Sequence, residues 1–298
     1  MIAAEVATDR TESLSNGDFT ADVVVSQLNR RLQVTGYQGP DLTALAGALA
    51  ARARELGFGK VWLKARRADR AALEAGGFEH EATICGYFSG EDAEVMALFV
   101  SEDRRRRPDL DDQVRILGRV TDRPPDPSLP SLPAGYRSAP AVDRDADELA
   151  GLYRTVFASY PFPITDPDYL RATMASHVRY RLLRDGAGKL VAAASAETAP
   201  ALASAEMTDF ATLPDQRGLG LAQHLLAGLE ETMADNGIGN LYTIARARST
   251  GMNRVFYNRG YLLTGTLVNN CHIAGRFEDM HVWSRPPAPP GARATLPG

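Results

Sequence analysis

RGLGLA, at positions 217–222, is a short glycine-containing loop between a predicted strand over 206–213 and a predicted helix over 219–236. One face of that helix is apolar and carries Leu221, Ala222, Leu225, Leu226, Leu229 and Met233. Glycines let the backbone approach an anion closely, and the first free amides of the following helix point toward it. The loop therefore predicts a phosphate cradle, with a tight turn that binds nothing as the alternative.

The spacing of the loop excludes two common nucleotide-binding motifs. No Gly-Lys-Ser/Thr ending follows, as a P-loop requires. A dinucleotide-binding Gly-x-Gly-x-x-Gly also fails, because Gln223 stands where the third glycine would follow Gly218 and Gly220.

Predicted strands and helices alternate around the loop across residues 134–285. Further strands are predicted over 136–139, 179–184, 190–195, 240–245, 261–268 and 278–283, and helices over 143–157, 166–176 and 251–258. This order predicts an α/β fold with a mixed sheet and a strand–loop–helix–strand unit at its centre.

A repeat links the two halves of the chain. GFGKVWLKAR at 57–66 aligns without gaps with GIGNLYTIAR at 237–246, and each copy follows an amphipathic helix. The same offset places the counterpart of the cradle at 37–42, where Pro40 removes an amide donor and Asp41 adds a negative charge. We expect a related half-fold upstream that binds no phosphate and instead completes the pocket or packs against the downstream half.

Proline-rich segments set the predicted domain boundaries. Five prolines between Arg123 and Pro133 favour an extended linker, and residues 286–298 read as a disordered tail. Residues 1–16 carry acidic side chains and lack a secretory signal, so we interpret them as a flexible leader. Two domains are predicted, over 17–122 and 134–285.

Composition excludes several classes of function. A net charge of -4 gives no reason to expect nucleic acid or a membrane as partner, and no apolar stretch is long enough to span a bilayer. Two distant cysteines, Cys85 and Cys271, suit a reducing cytoplasm. Neither they nor the five histidines have metal-ligand spacing, so no metal is expected. The oligomeric state is left open, a homodimer included.

An Arg-x-x-Gly-x-Ala pattern within the loop resembles the pyrophosphate-binding signature of the GNAT acetyltransferase superfamily. The resemblance covers roughly 134–285, and it implies a GNAT fold there with a degenerate GNAT-like domain upstream. It also implies that acetyl-CoA is the cosubstrate. Its pyrophosphate would bind the amides of Arg217, Gly218, Leu219, Gly220, Leu221 and Ala222. Its pantetheine would pair, like an added strand, with the backbone of Ala211, Thr212 and Leu213.

Further segments resemble β-lysine Nε-acetyltransferases. They are AEMTDFATL (205–213), YTIARA (242–247), GMN (251–253), NN (269–270), YPFP (160–163) and GYFSGEDA (86–93). This resemblance implies acetyl transfer to the side-chain amine of β-lysine, which gives a zwitterionic compatible solute. Another small amine as acceptor, or a non-catalytic acetyl-CoA-sensing module, are the alternatives.

The predicted chemistry needs a base, because the acceptor amine arrives as an ammonium ion. Glu206 is the first candidate, with a solvated strand-end carboxylate as the alternative. Asp209 is the second, and in a regular strand it faces the opposite side. Many GNAT enzymes place a tyrosine near the leaving thiolate; that position falls on Phe256 here, which leaves Tyr257 as the candidate acid and solvent as the alternative. The chain lacks a serine-centred nucleophile elbow, so direct transfer is expected.

Other polar and aromatic residues are candidates for binding. Asn253 is expected to bind the cofactor or to cap its helix. Arg246 is expected to pair with a substrate carboxylate, and Glu278 with an ammonium. Tyr160 and Phe162 are expected to close over the aliphatic chain. The remaining polar candidates for contact with the substrate are Asp209, Asn269 and Asn270, the last two of which are also consistent with a turn.

Overall fold

The computed structural model describes residues 9–158, 160, 162–273 and 275–285. The strands are β1 (Arg10–Ser15), β2 (Thr20–Ser26), β3 (Arg31–Gln38), β4 (Lys60–Arg66), β5 (Glu79–Phe88), β6 (Glu91–Phe99), β7 (Arg137–Pro140), β8 (Val178–Arg184), β9 (Leu190–Ala199), β10 (Ser204–Thr212), β11 (Asn240–Arg246), β12 (Leu262–Ile273) and β13 (Arg276–Ser284). The α-helices are α1 (Leu42–Glu55), α2 (Arg70–Ala75), α3 (Glu102–Arg105), α4 (Leu110–Thr121), α5 (Ala146–Val156), α6 (Pro167–Met174), α7 (Leu221–Asp235) and α8 (Thr250–Asn258).

The strands form two mixed sheets. The first has the order β1-β2-β3-β4-β6-β5, and the second has the order β12-β13-β11-β10-β9-β8-β7. One parallel pair lies in each sheet, β3 with β4 and β10 with β11, and a helix connects the two strands of each pair. The other pairings are antiparallel. This arrangement confirms the mixed α/β class.

The two sheets correspond strand for strand. Read from β1, the first sheet matches β8-β9-β10-β11-β13-β12 of the second, with α1 in the place of α7. Strands β4 and β11 begin at Lys60 and Asn240, the same offset that aligns the repeated sequence. The repeat predicted from ten residues is therefore confirmed across a whole half-fold.

The N-terminal prediction is wrong where the structure describes it. Arg10–Ser15 form β1, which pairs antiparallel with β2, because their backbone groups complete the edge of the first sheet. The linker residues 123–133 have no helix or strand. Residues 286–298, interpreted as a tail, and residues 1–8 lie outside the described residues. Among the helices that the structure describes, none is long and apolar enough to cross a membrane.

The two halves pack against each other through an apolar cluster that joins both sheets. Trp62, Ile84 and Val95 of the first sheet contact Tyr242 and Val282 of the second, and all five are buried. A buried ion pair lies at the same interface: Lys60 Nζ is 2.8 Å from a carboxylate oxygen of Glu81. Lys60 Nζ also donates a hydrogen bond to the carbonyl oxygen of Val268 in the downstream half, at 2.8 Å. The halves thus share a buried core, which holds the two sheets in place relative to each other.

Candidate active site

A cavity of about 530 Å³ lies between the two sheets. The downstream half lines it with residues from β9, β10, β11, α8 and the segment after α5, including Tyr160, Glu197, Glu206, Asp209, Arg246 and Phe256. The upstream half adds residues that include Arg31, Gln33, Trp62, Lys64 and Tyr87. Neither half encloses the cavity alone.

The predicted cradle opens α7 as expected, although the helix begins at Leu221 and not at position 219. Gly218 and Gly220 both have positive φ, at 84° and 72°, which explains the need for glycine. Within the described part of the chain, the amides from Gly218 to Ala222 donate no hydrogen bond. These free donors at a helix N-terminus suit an anion such as a pyrophosphate.

The linker lies against this loop. A Cβ atom built on Gly220 would fall 2.2 Å from Cγ of Pro130, whereas one built on Gly218 meets nothing within 4 Å. Nε2 of His224, on the first turn of α7, is 2.6 Å from the carbonyl oxygen of Pro130. Two features therefore require glycine at position 220: its positive φ and the close approach of Pro130.

Strands β10 and β11 separate after a short parallel contact. Ser204–Glu206 pair with Asn240–Tyr242, and beyond Glu206 strand β10 pairs only with β9. Ala211 and Thr212 thus use one backbone edge for β9 and present the other edge to the gap between β10 and β11. Leu213 donates its amide to Val191, on the β9 side. An extended pantetheine chain fits such an unpaired edge.

A bulge in β10 overturns the expected orientation of Asp209. The register with β9 shifts between Thr208 and Ala211, and Asp209 has a φ of 54°. The extra residue breaks the alternation of faces, so Asp209 lines the same cavity as Glu206 instead of the opposite side.

Glu206 lies at the end of the β10–β11 contact and faces the cavity. Burial raises its pKa to about 7, although the nearby Lys64 ammonium and a hydrogen bond from Tyr242 oppose the shift. Lys64 Nζ in turn donates to the hydroxyls of Tyr242 and Tyr87, at 3.0 and 3.3 Å. A carboxyl group whose pKa lies near neutrality, facing a cavity, is suited to accept a proton.

Asp209 is held by hydroxyl groups. Ser195 donates to it at 2.5 Å, and the Tyr160 hydroxyl donates to its other oxygen. Burial raises the pKa of Asp209, and the bonds from Ser195 and Tyr160 act against that shift. Both carboxylate oxygens are thus occupied, which leaves Glu206 as the better candidate base.

Phe162 lines the cavity with its side chain half exposed.

The structure does not bring Tyr257 into the cavity. Its ring packs edge-on against Trp283, with centroids 6.3 Å apart, and it is absent from the described residues that line the cavity. Phe256 lines the cavity instead, in edge contact with Phe210 and Tyr261. One residue along a helix turns the side chain by about 100°, which removes Tyr257 as a direct proton donor.

Arg246 and Glu278 bind each other instead of two substrate groups. Nε and Nη2 of Arg246 donate to the two Glu278 oxygens at 2.7 and 2.8 Å, in a bidentate pair. Burial disfavours the Glu278 charge, but Arg246 and Arg276 outweigh it and lower the pKa of Glu278. Because Glu278 is buried and already paired, it is not available to a substrate ammonium. Arg246 does line the cavity.

Asn253 and Asn269 hold the structure together and do not reach the cavity. The Asn253 amide donates to the carbonyls of Arg246 and Ser249 and accepts a bond from Trp283 at 2.7 Å. Asn253 does not cap α8 as predicted. The cap is Ser249, whose side chain accepts a hydrogen bond from the Met252 amide. Asn269, with φ of 46° in a bulge of β12, donates to the carbonyls of Arg104 and Arg106. Asn270 lines the cavity, and its contact with a substrate stays a prediction.

Sequence reasoning missed the residues of the upstream half that line the cavity. Arg31 and Gln33 alternate on one face of β3, while Leu32 and Val34 pack in the core, and Trp62 and Lys64 alternate in the same way on β4. Polar side chains at alternate positions of a predicted strand are a signal of a polar face. Such a face is ordinarily solvated. Here it becomes a cavity wall only because the downstream half packs opposite it.

The upstream counterpart of the cradle is closed. Three residues connect β3 to α1, compared with eight between β10 and α7. The Asp41 side chain accepts from the Ala44 amide at 2.8 Å and so caps α1 itself. A Cβ on Gly39 would lie 2.2 Å from the carbonyl oxygen of Asp18. The upstream loop therefore lacks the open turn of the cradle, and that it binds no phosphate stays a prediction. Nor does any group of three or more candidate metal ligands occur among the described residues.

Known proteins resemble the chain in both sequence and length. The profile of the Acetyltransferase (GNAT) family matches residues 147–261. N-acetyltransferase YodP of Bacillus subtilis (strain 168) is 35% identical over 274 residues, which cover 92% of this chain and 98% of that protein. The beta-lysine N(6)-acetyltransferase of Methanococcus maripaludis is 36% identical over 88% of this chain and 94% of its own length. The corresponding enzyme of Methanosarcina mazei is 33% identical over 81% and 96%.

Proposed function

The chain belongs to the GNAT family of acetyltransferases, and we propose that it transfers the acetyl group of acetyl-CoA to the side-chain amine of β-lysine. The product would be Nε-acetyl-β-lysine, a zwitterionic compatible solute made in the cytoplasm for adaptation to osmotic stress. The observation that carries the proposal is the position of Glu206, a carboxyl group that faces the cavity lined by both halves at the end of the β10–β11 contact.

Acetyl-CoA would occupy the gap between β10 and β11. The free amides from Gly218 to Ala222 would bind its pyrophosphate, and the open backbone edge at Ala211 and Thr212 would pair with its pantetheine. This path leads the thioester toward the bulge at Asp209, beside Glu206. The features that support this acetyl-CoA site all belong to the downstream half.

Proton transfer to Glu206 would make the amine nucleophilic. The substrate ammonium loses a proton to the Glu206 carboxylate, directly or through one water. The amine nitrogen then forms a bond to the acetyl carbon, the carbon–sulfur bond breaks, and the thiolate of CoA leaves with the electron pair. The nitrogen sheds its second proton, and solvent supplies the proton that the thiolate takes up. No covalent enzyme intermediate is needed.

Thiol release tests the proposal. The purified chain is mixed with acetyl-CoA and β-lysine, and free thiol is followed alongside mass spectrometry of the product. We expect thiol release that depends on β-lysine, with one acetyl group added at the ε-nitrogen. Release with other amines but not with β-lysine would contradict the acceptor assignment. Tight CoA binding without turnover of any amine would favour a sensing module.

A further inference from the structure

The upstream end of the cavity holds three buried polar atoms without a hydrogen-bond partner among the described residues. They are Nε of Arg31, Nε1 of Trp62 and Oδ1 of Asn270. The three side chains line the cavity, and their residues are only 8%, 3% and 1% exposed. Leaving such atoms unpaired costs about 1–3 kcal/mol each. Two donors and one acceptor at one end of a cavity therefore point to a ligand with complementary groups.

The charge balance around Arg31 indicates what that ligand carries. Within the described chain, no carboxylate lies within ion-pair distance of Arg31, whose Nη1 donates to the Asn270 carbonyl at 2.6 Å. Arg104, also buried, donates to the carbonyls of Asn29 and Asn269. Lys60 pairs with Glu81. Of these three cations only Lys60 has a carboxylate within ion-pair distance among the described residues, and Asp9 interacts with Arg31 only from farther away. Arg31 and Arg104 therefore favour an anion nearby.

The downstream wall of the cavity is acidic. Glu197, Glu206 and Asp209 line it on β9 and β10, beside the gap proposed for acetyl-CoA. Trp62 lies near two cations of the upstream half: the Arg31 guanidinium is 5.2 Å from its ring centroid, and the Lys64 ammonium is 5.8 Å from it. The cavity therefore has acidic side chains on its downstream wall, which attract an amine, and cations on its upstream wall, which attract a carboxylate.

We propose that Arg31 and Trp62 bind the carboxylate of the amino-acid substrate, and that Asn270 accepts a hydrogen bond from the ammonium group next to that carboxylate. Asp9 lines the same end and lies close enough to Arg31 for the two charges to interact, so it adds a second acceptor for the ammonium. This assignment rests on the proposed function and deepens it. It makes the upstream half, which has lost the cradle, the part that selects an amino acid over a plain diamine.

A pair of substrates that differ only in the carboxylate isolates this contact. β-Lysine and 1,4-diaminopentane carry the same two amines on the same carbon chain, and only β-lysine has the carboxylate. In Arg31→Gln we expect KM for β-lysine to rise about 100-fold, as when one partner of a buried charge pair is lost. In Trp62→Phe, which keeps the ring and removes the N–H group, we expect a rise of about 10-fold. KM for the diamine should not rise in either variant.

The matched control is Arg30→Gln, which removes the neighbouring, exposed arginine that bonds to the Gly57 carbonyl. It should leave both KM values unchanged. Equal changes for β-lysine and the diamine in Arg31→Gln would overturn the proposal, because a structural role would affect both substrates. If Arg31→Gln does not fold, an unchanged ratio of the two KM values in Trp62→Phe would overturn it equally.

Calorimetry separates this proposal from the proposed function. β-Lysine is titrated into the full chain without acetyl-CoA, and its Kd is compared between the parent, Trp62→Phe and Arg30→Gln proteins. Weaker binding in Trp62→Phe alone supports the carboxylate site even where no turnover is seen. Turnover of β-lysine with a Kd that is the same in all three proteins would confirm the enzyme and refute the carboxylate site.

Discussion

Gln33 and Glu206 occupy equivalent positions in the two sheets and face one cavity. Gln33 pairs with Trp62 across β3 and β4, and Glu206 pairs with Tyr242 across β10 and β11. The repeat thus places an amide on the upstream wall where the downstream wall has a carboxylate. An uncharged residue there adds no further carboxylate beside Arg31, which lies two positions earlier on the same strand face.

Gln33→Glu should therefore change the preference of the enzyme. A carboxylate beside Arg31 would offset the positive charge of the upstream wall, so we expect KM for β-lysine to rise about 10-fold and KM for 1,4-diaminopentane to fall. Steady-state kinetics with both substrates measures the ratio. Gln33→Leu, similar in size but uncharged, is the control and should not favour the diamine. A ratio that stays the same in Gln33→Glu would contradict the prediction.

Glu206→Gln should lower kcat by about 10²–10³-fold at neutral pH, because the proposed general base is lost. The parent enzyme should lose kcat/KM as pH falls through about 7, since protonated Glu206 accepts no proton. The variant should lack that step and show only the gradual rise that comes from deprotonation of the free amine. A profile between pH 5.5 and 9 checks this. An unchanged step near pH 7 in the variant would remove Glu206 as the base.

Lys64→Met should move the same step to higher pH. The Lys64 ammonium lowers the pKa of Glu206 against the effect of burial, so its removal lets that pKa rise. At pH 7 more of the base is then protonated, and kcat/KM falls, with recovery at higher pH. The exposed Arg66→Met, on the same strand, is the control and should leave the step in place. A step that stays at pH 7 in Lys64→Met would show that the two charges do not interact.

Gly220→Ala should destabilise the protein more than Gly218→Ala. Both positions have positive φ, which costs an alanine about 1 kcal/mol. Only at 220 does the added Cβ also clash with Pro130, and we expect a total loss of about 2–3 kcal/mol there. Urea unfolding of the two variants without ligand measures the difference. Equal losses would show that the linker does not pack on the cradle in solution.

Glu81→Gln should cost about 3 kcal/mol of unfolding free energy, because it leaves the buried Lys60 ammonium unpaired between the halves. Burial lowers the pKa of Lys60 to about 8 even with Glu81 present, and without it that pKa falls further. The folded variant then binds fewer protons than the unfolded chain, so its deficit shrinks as pH rises toward 8. Glu91→Gln removes an exposed pair with Arg66 and should cost less than about 1 kcal/mol. Similar losses in both would contradict the argument.

Local sequence was sufficient to predict the core of the fold. Three features are each contained in a short stretch of sequence. They are the glycines at 218 and 220, which have positive φ, the apolar face of α7 and the ten-residue repeat. Such features depend on backbone sterics and on the burial of a single face, so they can be predicted without knowing what packs nearby. Glu206 was predicted in the same way, from its place in the strand before the cradle.

Tertiary structure alone decided which polar groups face the cavity. Asp209 turned into the cavity because of a bulge, Arg246 and Glu278 paired across two strands, and Tyr257 rotated away onto Trp283. Arg31 lies 175 positions before Glu206 in the chain and reaches the same cavity only because the two sheets pack against each other. The energy of a charge depends on its burial and on its partners, and both are set by contacts between distant segments, which no local pattern encodes.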